Sequence, residues 1–141
     1  MTPGTGDDAN RIERVRVTSS APWEATVGYS RAVRTGNFVA VAGTVAANAD
    51  GTIHAPGDAY AQASRCLEII EAALREAGAT MADVVRTRMF VTDIARSEEF
   101  GRAHGEFFAD IRPAATMVEV RTLIDPAALI EIEVDAVLAD R

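Results

Sequence analysis

From Leu129 to Leu138 the chain alternates strictly, with Ile130, Ile132, Val134 and Ala136 on one parity and Glu131, Glu133 and Asp135 on the other. A period of two marks a β-strand. Three acids therefore share one face, and carboxylates withdrawn from water need cationic or hydrogen-bonding partners. That face is solvent, a site or a subunit contact. Ala114 to Arg121 alternates as a preceding strand, and Asp125-Pro126 supplies a chain reversal between the two. Val84 to Asp93 reads as a further strand, with Val85, Thr87, Met89 and Val91 on one side and Arg86 and Arg88 on the other.

Tyr29 to Arg34 and Phe38 to Thr44 flank Gly36-Asn37, the signal of a hairpin. Its second arm is almost wholly apolar, which predicts a strand covered on both faces, with Gly43 marking a bulge or a close approach to the backbone. Ile12, Val15 and Val17 indicate a first strand. Between it and the hairpin, Ser19 to Gly28 reads as an ordered loop pinned by Trp23. Asn48 to Gly57 is turn-rich and contains His54, a histidine with no nearby carboxylate or second histidine.

Two stretches switch to helical spacing. Asp58 is placed to cap a helix whose stripe is Ala63, Cys66, Leu67, Ile70, Ala73, Leu74 and Ala77, with Gly78 at its stop. A second helix over Ser97 to Asp110 carries Phe100, Ala103, His104, Phe107 and Phe108 on one face, and Gly101 and Gly105 are expected to thin one flank for close packing. The order strand, hairpin, helix, strand, helix, strand, strand predicts an α+β fold in which both helices cover one face of a mixed sheet. The uncovered face would carry Glu131, Glu133 and Asp135 with Arg86, Arg88, Arg121 and Met117. A homo-oligomer closing sheet against sheet would satisfy it and leave small-molecule clefts at the interfaces.

Composition narrows the function classes. A chain of 141 residues is about one domain; residues 11–141 are read as that domain and 1–10, which resemble neither a signal peptide nor a membrane anchor, as a flexible tail. The net charge of -7 and pI near 4.8 oppose a nucleic-acid surface. A single cysteine, Cys66, excludes an internal disulfide and fits a cytoplasmic setting; its place on the apolar stripe makes it a core residue. There is no phosphate loop and no pair of histidines at metal-ligand spacing.

The hairpin GYSRAVRTGNFVAVAGT, the strand end MFVTDI, the strand RPAATMVEV and the closing ALIEIEVDAV resemble the Rid family, the reactive-intermediate deaminases also called YjgF-like and formerly known as endoribonuclease L-PSP. The likeness runs from about Val17 to Leu138. It implies a chorismate-mutase-like fold, a homotrimer whose sheets line a central barrel, and ligand clefts between subunits. It also implies hydrolysis of imines and enamines such as 2-aminoacrylate to a carbonyl compound and ammonia, with no metal or organic cofactor. Glu131 matches the glutamate that positions the attacking water. Ala115 stands where the archetypal deaminases carry the arginine that grips the substrate carboxylate, and Met117 where many members carry a cysteine.

The candidate substrate-binding set is Tyr29, Arg31, Gly43, Arg88, Ala115, Thr116 and Met117, with Arg31 and Arg88 included as neighbouring cations. Three readings of the missing arginine stand side by side. A neighbouring cation (Arg112, Arg31, Arg88 or Arg121) serves instead; the pocket takes a neutral or larger substrate; or the trimer binds ligand without turnover, as a sensor or chaperone-like protein. His104 also has two readings, a hydrogen-bonded histidine at the helix-sheet boundary and a second catalytic group.

Overall fold

A computed structural model describes residues 13–139; the tail assigned to 1–10 and Ile12 lie outside them. Six strands form one sheet: β1 (Arg14–Val17), β2 (Ala32–Thr35), β3 (Phe38–Thr44), β4 (Val84–Val91), β5 (Ala114–Glu119) and β6 (Ile130–Val137), in the spatial order β1-β2-β3-β6-β4-β5. All neighbours are antiparallel except β4 and β5, which run parallel. The sheet is mixed because α2 (Ser97–Phe108) carries the chain from the end of β4 back to the start of β5. β5 and β6 are consecutive in sequence but not neighbours, since β4 lies between them.

β6 sits centrally, and its apolar parity is the floor of the core: Ile130, Ile132, Val134 and Ala136 are fully buried. Above them lies α1 (Ala59–Glu76), whose whole expected stripe is buried. Asp58 caps it by accepting from the Ala61 N–H at 3.0 Å. Its other end is locked to the hairpin, because Arg34 donates to Ala77 O at 2.9 Å and to Gly36 O at 2.9 Å. Gly78 follows with φ of 85°, and a Cβ there would meet Arg34 Nη1 at 2.6 Å. One polar side chain breaks into this apolar helix face. Gln62, fully buried, accepts from Leu129 N at 2.8 Å and donates to Ala127 O at 3.1 Å and Ala55 O at 3.3 Å. It thereby ties the turn at Asp125 to Ala128 onto α1.

Five local expectations give way to packing. Val85 is 47% exposed, because the ladder with β6 slips between Val84 and Arg86 and Val84 takes the inward place. The loop after β1 is pinned by Glu24 and not by Trp23, which is 63% exposed: the buried Glu24 carboxylate accepts from the Ser19 N–H and hydroxyl, and Glu24 opens a five-residue turn closed by Tyr29 N to Glu24 O at 3.0 Å. A Cβ on Gly101 or Gly105 would meet nothing within 4 Å, so neither thins a helix contact within the protomer. β3 alternates buried and half-buried positions, its second face lying on the open side. Met117 is half-buried against the core on the helix side, and β5 ends at Glu119, so neither Met117 nor Arg121 belongs to the open face of the sheet.

Candidate functional site

Strand register divides the nine candidate residues into three groups. Thr87, Met89 and Val91 of β4 pair with Ala115, Met117 and Glu119 of β5 on the helix side, while Arg88 pairs with Thr116 on the open side. Glu131, Glu133 and Asp135 pair with Phe90, Arg88 and Arg86, again on the open side. Ala115 and Glu131 therefore lie on opposite faces, with β4 between their strands and Ala115 level with Thr87 but Glu131 level with Phe90, about 14 Å apart at the usual strand spacing and rise.

The first group gathers around a bulge. Between Val41 and Thr44 the β3–β6 ladder shifts register, and Gly43 sits in the shift. The Glu131 carboxyl lies flat against it: a Cβ on Gly43 would be 3.0 Å from both Cδ and Oε2. A side chain at residue 43 would push the carboxyl back by a few tenths of an ångström, so glycine allows the closest approach. Arg31, immediately before β2, crosses to the same place and donates from Nη2 to Ala42 O and Gly43 O, each at 2.7 Å. Tyr29 and Glu24 complete the surroundings, both near enough to act on the Arg31 guanidinium. Burial pushes the Glu131 carboxyl above its ordinary range, Arg31 pulls it back and Glu133 pushes it further up. Burial also lowers the Arg31 guanidinium, against the opposing pull of Tyr29, Glu24, Glu131 and Cys66. Beside this cluster, an open-face groove of about 710 Å³ is lined by Arg14, Arg16, Glu24, Tyr29, Glu133 and Asp135 among others.

In the second group Arg88 is engaged by acids of its own sheet, with Nη1 3.4 Å from Glu133 and 3.2 Å from Asp135. The third group lies under α2: His104 Nε2 and Thr87 Oγ1 are 2.9 Å apart, and the His104 ring stacks obliquely on Phe108 at 4.7 Å. Burial lowers the His104 pKa, so the ring is neutral at pH 7. Glu119 is used structurally, accepting from Ile94 N at 3.0 Å. Cys66 faces the core with its thiol pushed up to about 12, chiefly by burial and then by Glu131.

The four cations weighed as stand-ins for the missing arginine are thus sorted. Arg88 is ion-paired on the wrong face. Arg121 lies beyond the strand. Arg112 is exposed with φ of 54°. Arg31 lies close to Glu131, but its Nη2 belongs to both bidentate edges of the guanidinium and is already spent on two carbonyls. Sequence reasoning passed over Glu24 and Thr87; the signal for Thr87 was a hydroxyl on the apolar parity of β4, and for Glu24 there was none beyond an acid following a serine-rich turn. Among the described residues no group of three metal-ligating side chains occurs, and no helix is long and apolar enough to cross a membrane.

A mixed six-stranded sheet covered by helices on one side, with the half-buried Glu131 carboxyl against the Gly43 bulge on the other, is an α+β fold with one open sheet face. Comparison with known proteins makes it specific. Residues 18–138 match the Endoribonuclease L-PSP family. An uncharacterized Streptomyces coelicolor protein is 37% identical over 121 residues, covering 86% of this chain and 90% of its own length. The 3-aminoacrylate deaminase RutC of Acinetobacter baylyi is 35% identical over 104 residues, 74% of this chain and 82% of that one. A crystal structure from Mycobacterium tuberculosis, of the YjgF/YER057c/UK114 family, superposes with a TM-score of 0.81 at 50% identity, covering 89% of this chain and 100% of that one. The chain belongs to the Endoribonuclease L-PSP family, the YjgF or Rid proteins.

Proposed function

We propose that this protein hydrolyses a small imine or enamine that lacks a carboxylate, releasing ammonia and a carbonyl compound in the cytoplasm without a cofactor. Glu131 carries the reading. Its carboxylate is half-buried, shifted upward and without a hydrogen-bond partner among the described residues, which suits a group that takes a proton from water and returns it. An enamine first becomes its imine as a proton moves from nitrogen to the β-carbon; water then adds to the imine carbon as Glu131 accepts its proton and passes it to nitrogen. The hydroxyl proton follows the same route as the C–N bond breaks, so one water enters and one ammonia leaves. A relative named for 3-aminoacrylate deamination supports this class of reaction. Ala115, with Arg31 held by the bulge carbonyls and Arg88 by Glu133 and Asp135, argues against selection for a carboxylate by a guanidinium at that position.

The separation of Glu131 from Ala115, His104, Thr116 and Met117 supports a cleft completed by a neighbouring copy, as in a homotrimer, with one wall from the bulge of one protomer and the other from the β5 edge of the next. Mixing purified protein with freshly generated imines, charged and uncharged, and following ammonia tests the reaction. Release no faster than in buffer for every substrate overturns it. Ala115 also favours a second reading, a trimer that binds a metabolite without turnover, for which ligand-induced thermal stabilisation in the absence of ammonia release is the signature.

A further inference from the structure

Among the described residues Glu131 has no hydrogen bond to hold its carboxyl in place; what bounds it is the Gly43 backbone. That backbone is in turn held by a side chain. In a regular strand successive carbonyls point in opposite directions, but the register shift in β3 turns Ala42 O and Gly43 O towards one nitrogen. Arg31 is fixed there at both ends. Its own N–H donates to Val17 O at 2.8 Å and its carbonyl accepts from Ala42 N at 3.0 Å, tying it to β1 and β3, while Nη2 closes on the two bulge carbonyls. Thr44 Oγ1 adds a second donor to Ala42 O at 2.8 Å. The Arg31 Nε is buried with no hydrogen-bond partner among the described residues, a cost that a cation with no task beyond surface solubility does not bear.

We propose that Arg31 is the positioning residue for Glu131, clamping the Gly43 bulge so that the carboxyl is seated against it beside a fixed positive charge. This rests on reading Glu131 as the proton-transferring acid, but its test needs no turnover. The groups facing the pair are Glu24 and Tyr29 from the loop after β1, Glu133 from β6, and Cys66 from α1, whose thiol is neutral. With those unchanged, loss of the Arg31 charge leaves burial and Glu133 acting on Glu131 without their counterweight.

The test is carbon-13 NMR titration of the Glu131 side-chain carboxyl in the intact protein, assigned with Glu131→Gln. Arg31→Gln is expected to raise the midpoint by about one pH unit, and Arg31→Lys, which keeps the charge but not the two-carbonyl grip, by about half as much. Gly43→Ala, whose new Cβ displaces the carboxyl while Arg31 stays, is expected to move the midpoint as well. Should Arg31→Gln not fold, the lysine and alanine variants decide. A folded Arg31 variant whose Glu131 titration superimposes on the parent overturns the proposal. A shifted titration in a protein that releases no ammonia from any imine sustains the clamp and discards the enzyme reading instead.

Discussion

Gln62 joins the stability of the fold to the placement of Glu131. Replacing it with leucine keeps the volume roughly constant and the site apolar, and so isolates the loss of three hydrogen bonds. Ala127 is exposed and its carbonyl can turn to water; the Leu129 N–H, half-buried beneath α1, has less access to a substitute partner. One unsatisfied donor plus the net loss of two ordinary hydrogen bonds, offset by leucine's better transfer to an apolar site, comes to about 2 kcal/mol. For a domain of this size that lowers the urea midpoint by about 1 M. Unfolding is followed by circular dichroism at one fixed protein concentration, since association adds to apparent stability. Hydrogen exchange at the Leu129 amide should quicken by more than at the core of β6. A midpoint within about 0.3 M of the parent would refute the claim that Gln62 anchors this turn, given how small an unanchored surface contribution is.

Glu131→Gln should cut ammonia release by about 100-fold or more while leaving the fold intact, the usual scale for losing an acid-base group. Because burial raises the Glu131 pKa, the acid limb of the rate profile should lie above the ordinary 4.5 of a glutamate. The sign for stability is the reverse. A carboxyl raised in the folded state favours folding below its unfolded pKa and loses that contribution as pH rises through its folded value, so Glu131→Gln should be at least as stable as the parent at neutral pH, with the gap closing below about pH 4 in paired melts. Ala115→Arg should confer measurable hydrolysis of 2-aminoacrylate; an inert but folded variant would show that more than this contact differs. Cys66, with its thiol near 12 and no exposed surface, should resist thiol reagents in the native state and react within minutes once the protein is unfolded.

Elements with strong periodicity were legible from sequence: β6, α1 with its Asp58 cap, and the hairpin at Gly36-Asn37 all stand where the pattern places them. What the pattern does not carry is register. Val85 belongs on the inner parity of β4 by counting, and only the slip opposite Asp135 turns it outward. Met117 reads as open-face until β5 is seen to pair in parallel with β4, which sets its parity from Thr87 and Met89. Of the site, the family likeness pointed to Glu131, and a glycine inside an apolar strand pointed to the bulge and close approach found at Gly43. What the pattern does not name is the group that approaches, because the pairing of Glu131 with this bulge depends on the register of β3 against β6. Trp23 misled because an aromatic in a loop is usually an anchor, whereas here the short acid beside it reaches the backbone.

The junction of Arg34, Ala77 and Gly78 closes one position to substitution twice over. A left-handed backbone disfavours any side chain there, and the guanidinium occupies the space that side chain would need. The two objections are independent: shortening Arg34 would relieve the collision but not the torsion, and rebuilding the helix end would relieve the torsion but not the collision. The guanidinium, at the end of a flexible side chain, can swing aside, but the left-handed torsion remains, so shortening Arg34 alone should restore little of the stability lost by a replacement at residue 78.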